Sequence, residues 1–248
     1  MHKRTSGLVL KSYDFKEADQ IVVVFSGDLG KIRVVARGVK KPKSSLRALV
    51  QPFCYSDFYL VPSGDMYILT QGKSLDFFPE LRTNLDRTLQ ALYVVELLEK
   101  CVADRDPHPE LLVLVLETLR FLSGKERGDF ILRHFEARLA VQLGLAPVLD
   151  QCQGCGSKVK LNGFSSEAGG ALCSACAAEA GARTVSPAAL SALNLLMKNN
   201  TAILKRVRLP EGVEREIGCM IGDHLRAALE ISLPVLGRLP NLTKGPGG

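Results

Sequence analysis

The sequence predicts an α+β chain of several domains. A five-stranded β-barrel comes first, an α-helical bundle follows, and a short four-cysteine module is inserted into the bundle. Three observations predict this. Residues 1–79 alternate short runs of Val, Ile, Phe and Tyr with glycine and proline. From Leu81 the apolar residues switch to helical spacing. Across 150–180 large apolar residues become scarce and two Cys-x-x-Cys pairs appear.

The barrel strands are expected at 6–12, 20–25, 31–37, 50–61 and 65–75. Gly27, Gly30, Gly38, Pro52, Pro62 and Gly64 punctuate them. Five short strands in about eighty residues fit a small closed barrel better than an open sheet, because closure removes exposed edges. An SH3-like barrel or a meander sheet would produce nearly the same pattern.

Leu85, Leu89, Leu92, Val95, Leu98 and Val102 mark the first helix. Asp106-Pro107 breaks the chain, and 109–122 is apolar on most sides, as in a buried helix. Leu132, Phe135, Leu139 and Leu143 form the stripe of a third helix, which Gly144 and Pro147 end. Helical spacing returns at 187–197 and 213–233. The expected organisation is therefore a barrel at 1–79, a helical domain at 80–149 and 181–238, a cysteine module at 150–180, and a Pro/Gly-rich mobile tail at 239–248.

Cys152-Gln153-Gly154-Cys155 and Cys173-Ser174-Ala175-Cys176 are separated by 17 residues. Two residues between cysteines let both thiolates of a pair turn toward one ion. Two such knuckles complete a tetrahedron that suits Zn²⁺. Gly154 and Gly156 supply the permissive backbone of a knuckle turn. Four protein ligands leave no open position for water, so one zinc ion here is expected to stabilise the fold and not to hydrolyse anything. His134-Phe135-Glu136 ahead of Cys152 and Cys155 partly copies a zinc-deaminase signature, but Gln151 stands where that signature has proline. His134 lies off the apolar stripe of its helix and is expected to face solvent.

Seven cations fall between residues 31 and 47, with no acid among them: Lys31, Arg33, Arg37, Lys40, Lys41, Lys43 and Arg47. In a strand, Ile32, Val34 and Ala36 would point inward, and Lys31, Arg33 and Arg37 outward. A row of positive charge beside a polar cationic loop is what a phosphate backbone requires. Phe53, Tyr55 and Tyr59 share strand parity, which core packing explains as well as base stacking. Lys198, Lys205, Arg206 and Arg208 form a second acid-free stretch, which fits the solvated end of a helix, an extension of the basic surface or a contact for an acidic protein.

The formal net charge of +6 favours an anionic partner. Seven cysteines, an odd number with four clustered, argue against a secreted disulfide framework. The basic N-terminus has no long apolar stretch before a small-residue cleavage site, and no apolar run approaches a membrane span. A cytoplasmic location without membrane association is the expectation. Gly72-Lys73-Ser74 ends like a phosphate-binding loop, but Tyr67 stands where its first glycine belongs. No catalytic constellation is apparent, and a non-enzymatic protein is expected.

Several of these segments together resemble one family. They are Gly7-Leu8-Val9-Leu10, Glu17-Ala18-Asp19-Gln20-Ile21-Val22, Gly30-Lys31, Ala36-Arg37-Gly38-Val39-Lys40-Lys41 and Gln51-Pro52-Phe53. Gly144-Leu145-Ala146-Pro147-Val148-Leu149 then leads into the first knuckle and Gly156, followed by Phe164, Gly169-Gly170 and the second knuckle. Their order and spacing resemble the RecO family of bacterial recombination mediators. The resemblance is clear over the barrel and around the cysteines, and weak over the middle helices and the C-terminus. It implies an OB fold, a helical domain and, in many members, a four-cysteine zinc site. It implies binding of single- and double-stranded DNA without ATP, annealing of complementary strands, and nucleoid association. The implied partners are RecR and single-stranded-DNA-binding protein, with functional links to RecA and RecF. The acidic, apolar-ended tail of single-stranded-DNA-binding protein would suit a basic-rimmed apolar groove on the helical part. Arg37, Lys40 and the four cysteines match the family pattern, whereas the other five cations rest on charge. An RNA-binding barrel with a zinc knuckle is the alternative, and a deaminase-like zinc enzyme the more distant one.

Overall fold

Five strands open the chain: β1 (Lys3–Asp14), β2 (Gln20–Ser26), β3 (Gly30–Ala36), β4 (Tyr55–Ser63) and β5 (Met66–Asp76). The computed structural model describes residues 2–124, 128–198, 201, 203–230 and 232–235. The strands close into a barrel in the order β1-β2-β3-β5-β4. Neighbours are antiparallel except β3 and β5, which run parallel over Val34↔Tyr67 and Val35↔Ile68. A meander would place β3 beside β4. The crossover to β5 gives the OB-type circuit instead.

Alternation along the strands fills the barrel. Val22 and Val24 of β2, Ile32, Val34 and Ala36 of β3, Phe58 and Leu60 of β4 and Leu69 of β5 share one core. Each buried Val, Ile, Leu or Phe among them contributes roughly 1.5–3 kcal/mol. The fourth strand begins at Tyr55, later than the expected residue 50. Arg47–Val50 instead forms a single 3-10 turn whose Leu49 and Val50 plug the barrel core. Their apolar character reports burial and not strand pairing.

β2 is apolar on both faces. Its outward residues Ile21, Val23 and Phe25 are also buried. Their cover is helical: α1 (Leu85–Cys101) packs on β1, and α2 (Pro109–Ser123) packs on β2. Asn84 caps α1 by accepting the Arg87 N–H at 3.2 Å, and Pro109 starts α2 at a position that needs no donor. The chain accordingly divides into two compact units, Met1–Gly124 and Lys125–Gly248. The division falls inside the helical stretch 80–149, so its first two helices go with the barrel.

Between α1 and α2 the chain runs beside the start of β3. Lys31 and Asp104 form a parallel bridge, and the Arg105 N–H donates to the Lys31 carbonyl at 2.9 Å. Gly30 permits this approach. Its φ is +67°, and a Cβ there would sit 2.4 Å from the Asp106 carbonyl oxygen.

In the second unit, α3 (Gly128–Gln142) is packed by α5 (Pro187–Leu196), α6 (Ile203–Arg206) and α7 (Glu211–Leu229), which come later in the chain. The cysteine module lies between α3 and α5 in sequence. It contains β6 (Leu161–Ser165), β7 (Gly170–Cys173), the short helix α4 (Ser174–Glu179) and β8 (Arg183–Thr184), with sheet order β7-β6-β8. Its small core is Cys152, Leu172, Cys173 and Ala177. The module is fastened to α7. Phe164 meets His224 edge to face at 6.1 Å, and the Glu216 carboxylate accepts the Ser186 N–H at 2.6 Å. The expected tail at 239–248 lies outside the described residues.

α3 corrects one expectation. His134 is 3% exposed and does not face solvent. Helices on several sides leave α3 no wet face, so its polar residues are buried with it. Arg133 and Glu136 form a buried ion pair at 2.6 Å, and Arg138 donates to the Met197 carbonyl at 2.5 Å. Burial, aided by the nearby Arg138 charge, pushes the His134 imidazole down to about 4. A neutral, buried histidine binds its proton more weakly folded than unfolded. Stability should therefore be fully present above the unfolded value near 6.5 and decline as pH falls toward 4, by up to about 3 kcal/mol. Urea melts of wild type and His134→Phe between pH 7 and pH 4 check this. The wild type should lose more stability across that window than the variant.

Candidate nucleic-acid interface and candidate metal centre

The seven cations of 31–47 all lie in the barrel unit, along β3 and the loop to the 3-10 turn. The inward set Ile32, Val34 and Ala36 is buried, while Arg33, Arg37, Lys40, Lys41, Lys43 and Arg47 are exposed. They do not share one environment. Lys31 is mostly covered, its side chain 14% exposed. It donates to the Glu99 carbonyl at 2.9 Å and stands 3.4 Å from Asp104. Arg33 reaches the same Asp104 at 3.3 Å. Lys40 pairs with Asp14 at 2.7 Å. Hydrogen bonds from Lys40 and then Gln20 hold the Asp14 carboxyl below the usual carboxylate range.

Arg47 turns back on its own loop and donates to the carbonyls of Lys40 and Lys41 at 2.8 and 2.9 Å. It braces the loop that carries them. Arg37, Lys41 and Lys43 have no ion-pair partner among the described residues. The segment without acids is thus met by acids from elsewhere, Asp14 on β1 and Asp104 after α1. Spacing along the chain carries no signal for such pairs. Exposed pairs of this kind contribute about 0–1 kcal/mol, so a phosphate can displace the acid at little cost.

Phe53 is buried at a positive φ of 52° outside any strand, and Arg82 stacks between it and Phe77 at 4.2 and 4.0 Å from the ring centroids. That ring is committed to packing. Tyr59 is exposed and lies under Arg4 at 5.6 Å.

In the second unit the chain brings Cys152, Cys155, Cys173 and Cys176 together, with all four sulfurs within 4.8 Å of one another. The Sγ atoms of Cys155 and Cys173 are 3.8 Å apart. Sulfurs at about 2.3 Å from a central ion in a tetrahedron would be separated by about 3.8 Å, so the set fits one ion. The first knuckle is closed by the Gly156 N–H donating to the Cys152 carbonyl at 2.9 Å. Gly156 has φ +75°, and a Cβ on Gly154 would lie 2.9 Å from the Cys176 sulfur. Both knuckle glycines are therefore required by geometry.

Backbone N–H groups point at the sulfurs. The Cys173 N–H, followed by those of Cys155 and Gly154, lowers the Cys152 thiol to about 6. The Cys176 N–H lowers Cys173. Hydrogen bonding to the neighbouring sulfurs, Cys173 first, raises Cys176 to about 12. A cation in the middle would favour the thiolate form at all four positions. The four cysteines could hold a metal ion, and they are the only such His/Cys/Asp/Glu group among the described residues. His134 and Glu136 take no part in it.

No described helix is long and apolar enough to cross a membrane. Two family models match the chain. Recombination protein O N terminal covers residues 1–78, and Recombination protein O C terminal covers residues 82–236. Several relatives are similar over most of their length. DNA repair protein RecO of Syntrophomonas wolfei is 40% identical over 218 residues, 88% of this chain and 87% of that protein. DNA repair protein RecO of Desulforamulus reducens is 33% identical over 244 residues, covering 97% and 95%. DNA repair protein RecO of Acetivibrio thermocellus is 34% identical over 230 residues, covering 92% of each. With its OB-type barrel, helical body and cysteine cluster, the chain belongs to the RecO family of DNA repair proteins.

Proposed function

We propose that this chain is a non-enzymatic recombination mediator of the RecF pathway. It binds single- and double-stranded DNA, anneals complementary strands and, with RecR, helps load RecA onto strands coated by single-stranded-DNA-binding protein. The observation that carries this reading is the set of exposed cations on the barrel, with Arg37, Lys41 and Lys43 free of acid partners among the described residues. The names of the relatives agree with a DNA repair role.

The mechanism is charge neutralisation. Arg37, Lys41 and Lys43 take phosphates first. Lys40 and Arg33 exchange Asp14 and Asp104 for phosphate as the contact extends, Lys31 backs the row, and Arg47 keeps the loop in shape. Two strands held on one cationic surface no longer repel each other, and base pairing supplies the driving force. The cysteine cluster would hold one structural Zn²⁺, since four sulfur ligands at tetrahedral spacing favour zinc over harder ions. It sits in the other unit and fastens the module; it takes part in no chemical step. The RNA-binding alternative shares the barrel and the cations, so DNA and RNA strands of one sequence must be compared.

Annealing of two labelled complementary strands coated with single-stranded-DNA-binding protein, without ATP, tests the mediator role. Acceleration over the uncatalysed rate is expected, and it should be lost when Arg37, Lys40 and Lys41 become glutamate. Tight RNA binding with no DNA binding would turn the assignment to the RNA module.

Affinity should also fall steeply with salt. Three free cations on a single strand give a log–log slope of about −2 or steeper, at roughly −0.7 per phosphate. A titration from low to physiological salt that leaves affinity unchanged would remove the cationic surface from the mechanism.

Cys152→Ser should lose its zinc and lower the melting temperature of the second unit while DNA binding by the barrel persists. Unchanged melting and unchanged metal content per chain would exclude a structural zinc.

A further inference from the structure

Two aromatic side chains beside the basic row are exposed and lie outside the barrel core. Tyr13 lies near the end of β1 and Phe15 opens the turn to β2; they are 43% and 45% exposed. Single exposed apolar residues are ordinary. These two are distinguished by their setting.

Strand register places Lys11, Val23 and Arg33 in one line across β1, β2 and β3. Tyr13, Ile21 and Val35 form the next line on the same face. Tyr13 shares a cleft of about 300 Å³ with Lys11, Lys31 and Arg33, which Glu99 and Asp104 also line. The turn carrying Phe15 is tied to the loop that carries the free cations. The Gly38 N–H donates to the Asp19 carboxylate at 2.8 Å, and the Lys40 N–H donates to the Ala18 carbonyl at 3.0 Å. Lys16 stands 5.5 Å from the Phe15 ring centroid. The acids of this turn are partly spent already, Asp14 on Lys40 and Asp19 on Gly38.

Exposed rings between cations match what an unpaired strand offers, a charged backbone with bare π-faces beside it. A duplex offers no free base faces, because its bases are already stacked on each other. We propose that Tyr13 and Phe15 are the base-stacking platform of this surface. They give it a grip on unpaired bases that duplex DNA cannot supply. The inference rests on the nucleic-acid reading above and adds residues which that reading does not need.

The test uses the full chain and three probes: labelled oligothymidine, an abasic strand of the same length, and a duplex. The double variant Tyr13→Leu with Phe15→Leu keeps the apolar bulk and removes the rings. It should lose about tenfold in affinity for oligothymidine and nothing for the abasic strand or the duplex. Tyr13→Phe should keep the wild-type affinity. The chain has no tryptophan, so tyrosine emission is readable. Oligothymidine should quench it in the wild type and less so in Tyr13→Phe. Equal loss on all three probes, no loss on any, or wild-type affinity as high for the abasic strand as for oligothymidine would overturn the stacking role and leave the cationic surface standing. A wild type that binds none of the three would overturn the nucleic-acid reading, and the stacking role with it.

Discussion

Closure of the barrel through the short parallel pairing of β3 with β5 is the constraint on which the rest of the first unit depends. Only Val34 and Val35 meet Tyr67 and Ile68, yet this contact leaves the sheet without a free edge. It also decides which way β3 faces. With Ile32, Val34 and Ala36 held in the core, Lys31 and Arg33 must point outward. The chain leaving β3 then has to cross the end of the barrel before it can start β4. That crossing is the loop in which Lys40, Lys41, Lys43 and Arg47 sit, and Leu49 and Val50 pin its far end into the core. The basic segment is thus held at both ends by apolar contacts made from its own chain.

Electrostatics on this surface is graded. Lys31 is tied into the α1 terminus, Arg33 and Lys40 are loosely paired, and Arg37, Lys41 and Lys43 are unpaired among the described residues. Acids from outside the segment keep the resting surface from being uniformly positive. The net charge of +6 is likewise spread over both units. Under the proposed function, a polyanion competing with Asp14 and Asp104 would recruit the row progressively, each added contact releasing counterions.

Much of this architecture was legible in the sequence, and the exceptions share a cause. Period-2 and helical patterns located the five strands and the main helices, because each has a face that must be buried. Cysteine spacing located the four-sulfur cluster that could hold a metal ion, because each knuckle turns its two thiols to one side. β4 starts later than its apolar run suggests, since Leu49 and Val50 are buried without pairing. His134 is buried against the helical pattern, since an apolar stripe marks the driest face of a helix but does not reveal that later helices cover the others. Asp14 and Asp104 were missed because a contact between distant segments leaves no trace in local spacing. The run from Ile21 to Phe25, apolar at every position, did carry a signal for a second covering layer.

That two-sided strand limits how the protein can be taken apart. The boundary between strand-rich and helix-rich sequence near residue 79 looks like a natural cut, and it is not one. A fragment ending there would leave the outer face of β2, with Ile21, Val23 and Phe25, open to water where α1 and α2 otherwise pack. The smallest portable piece carrying the basic segment extends to Gly124. The barrel and its two helices would therefore be inherited, swapped or transplanted as one part.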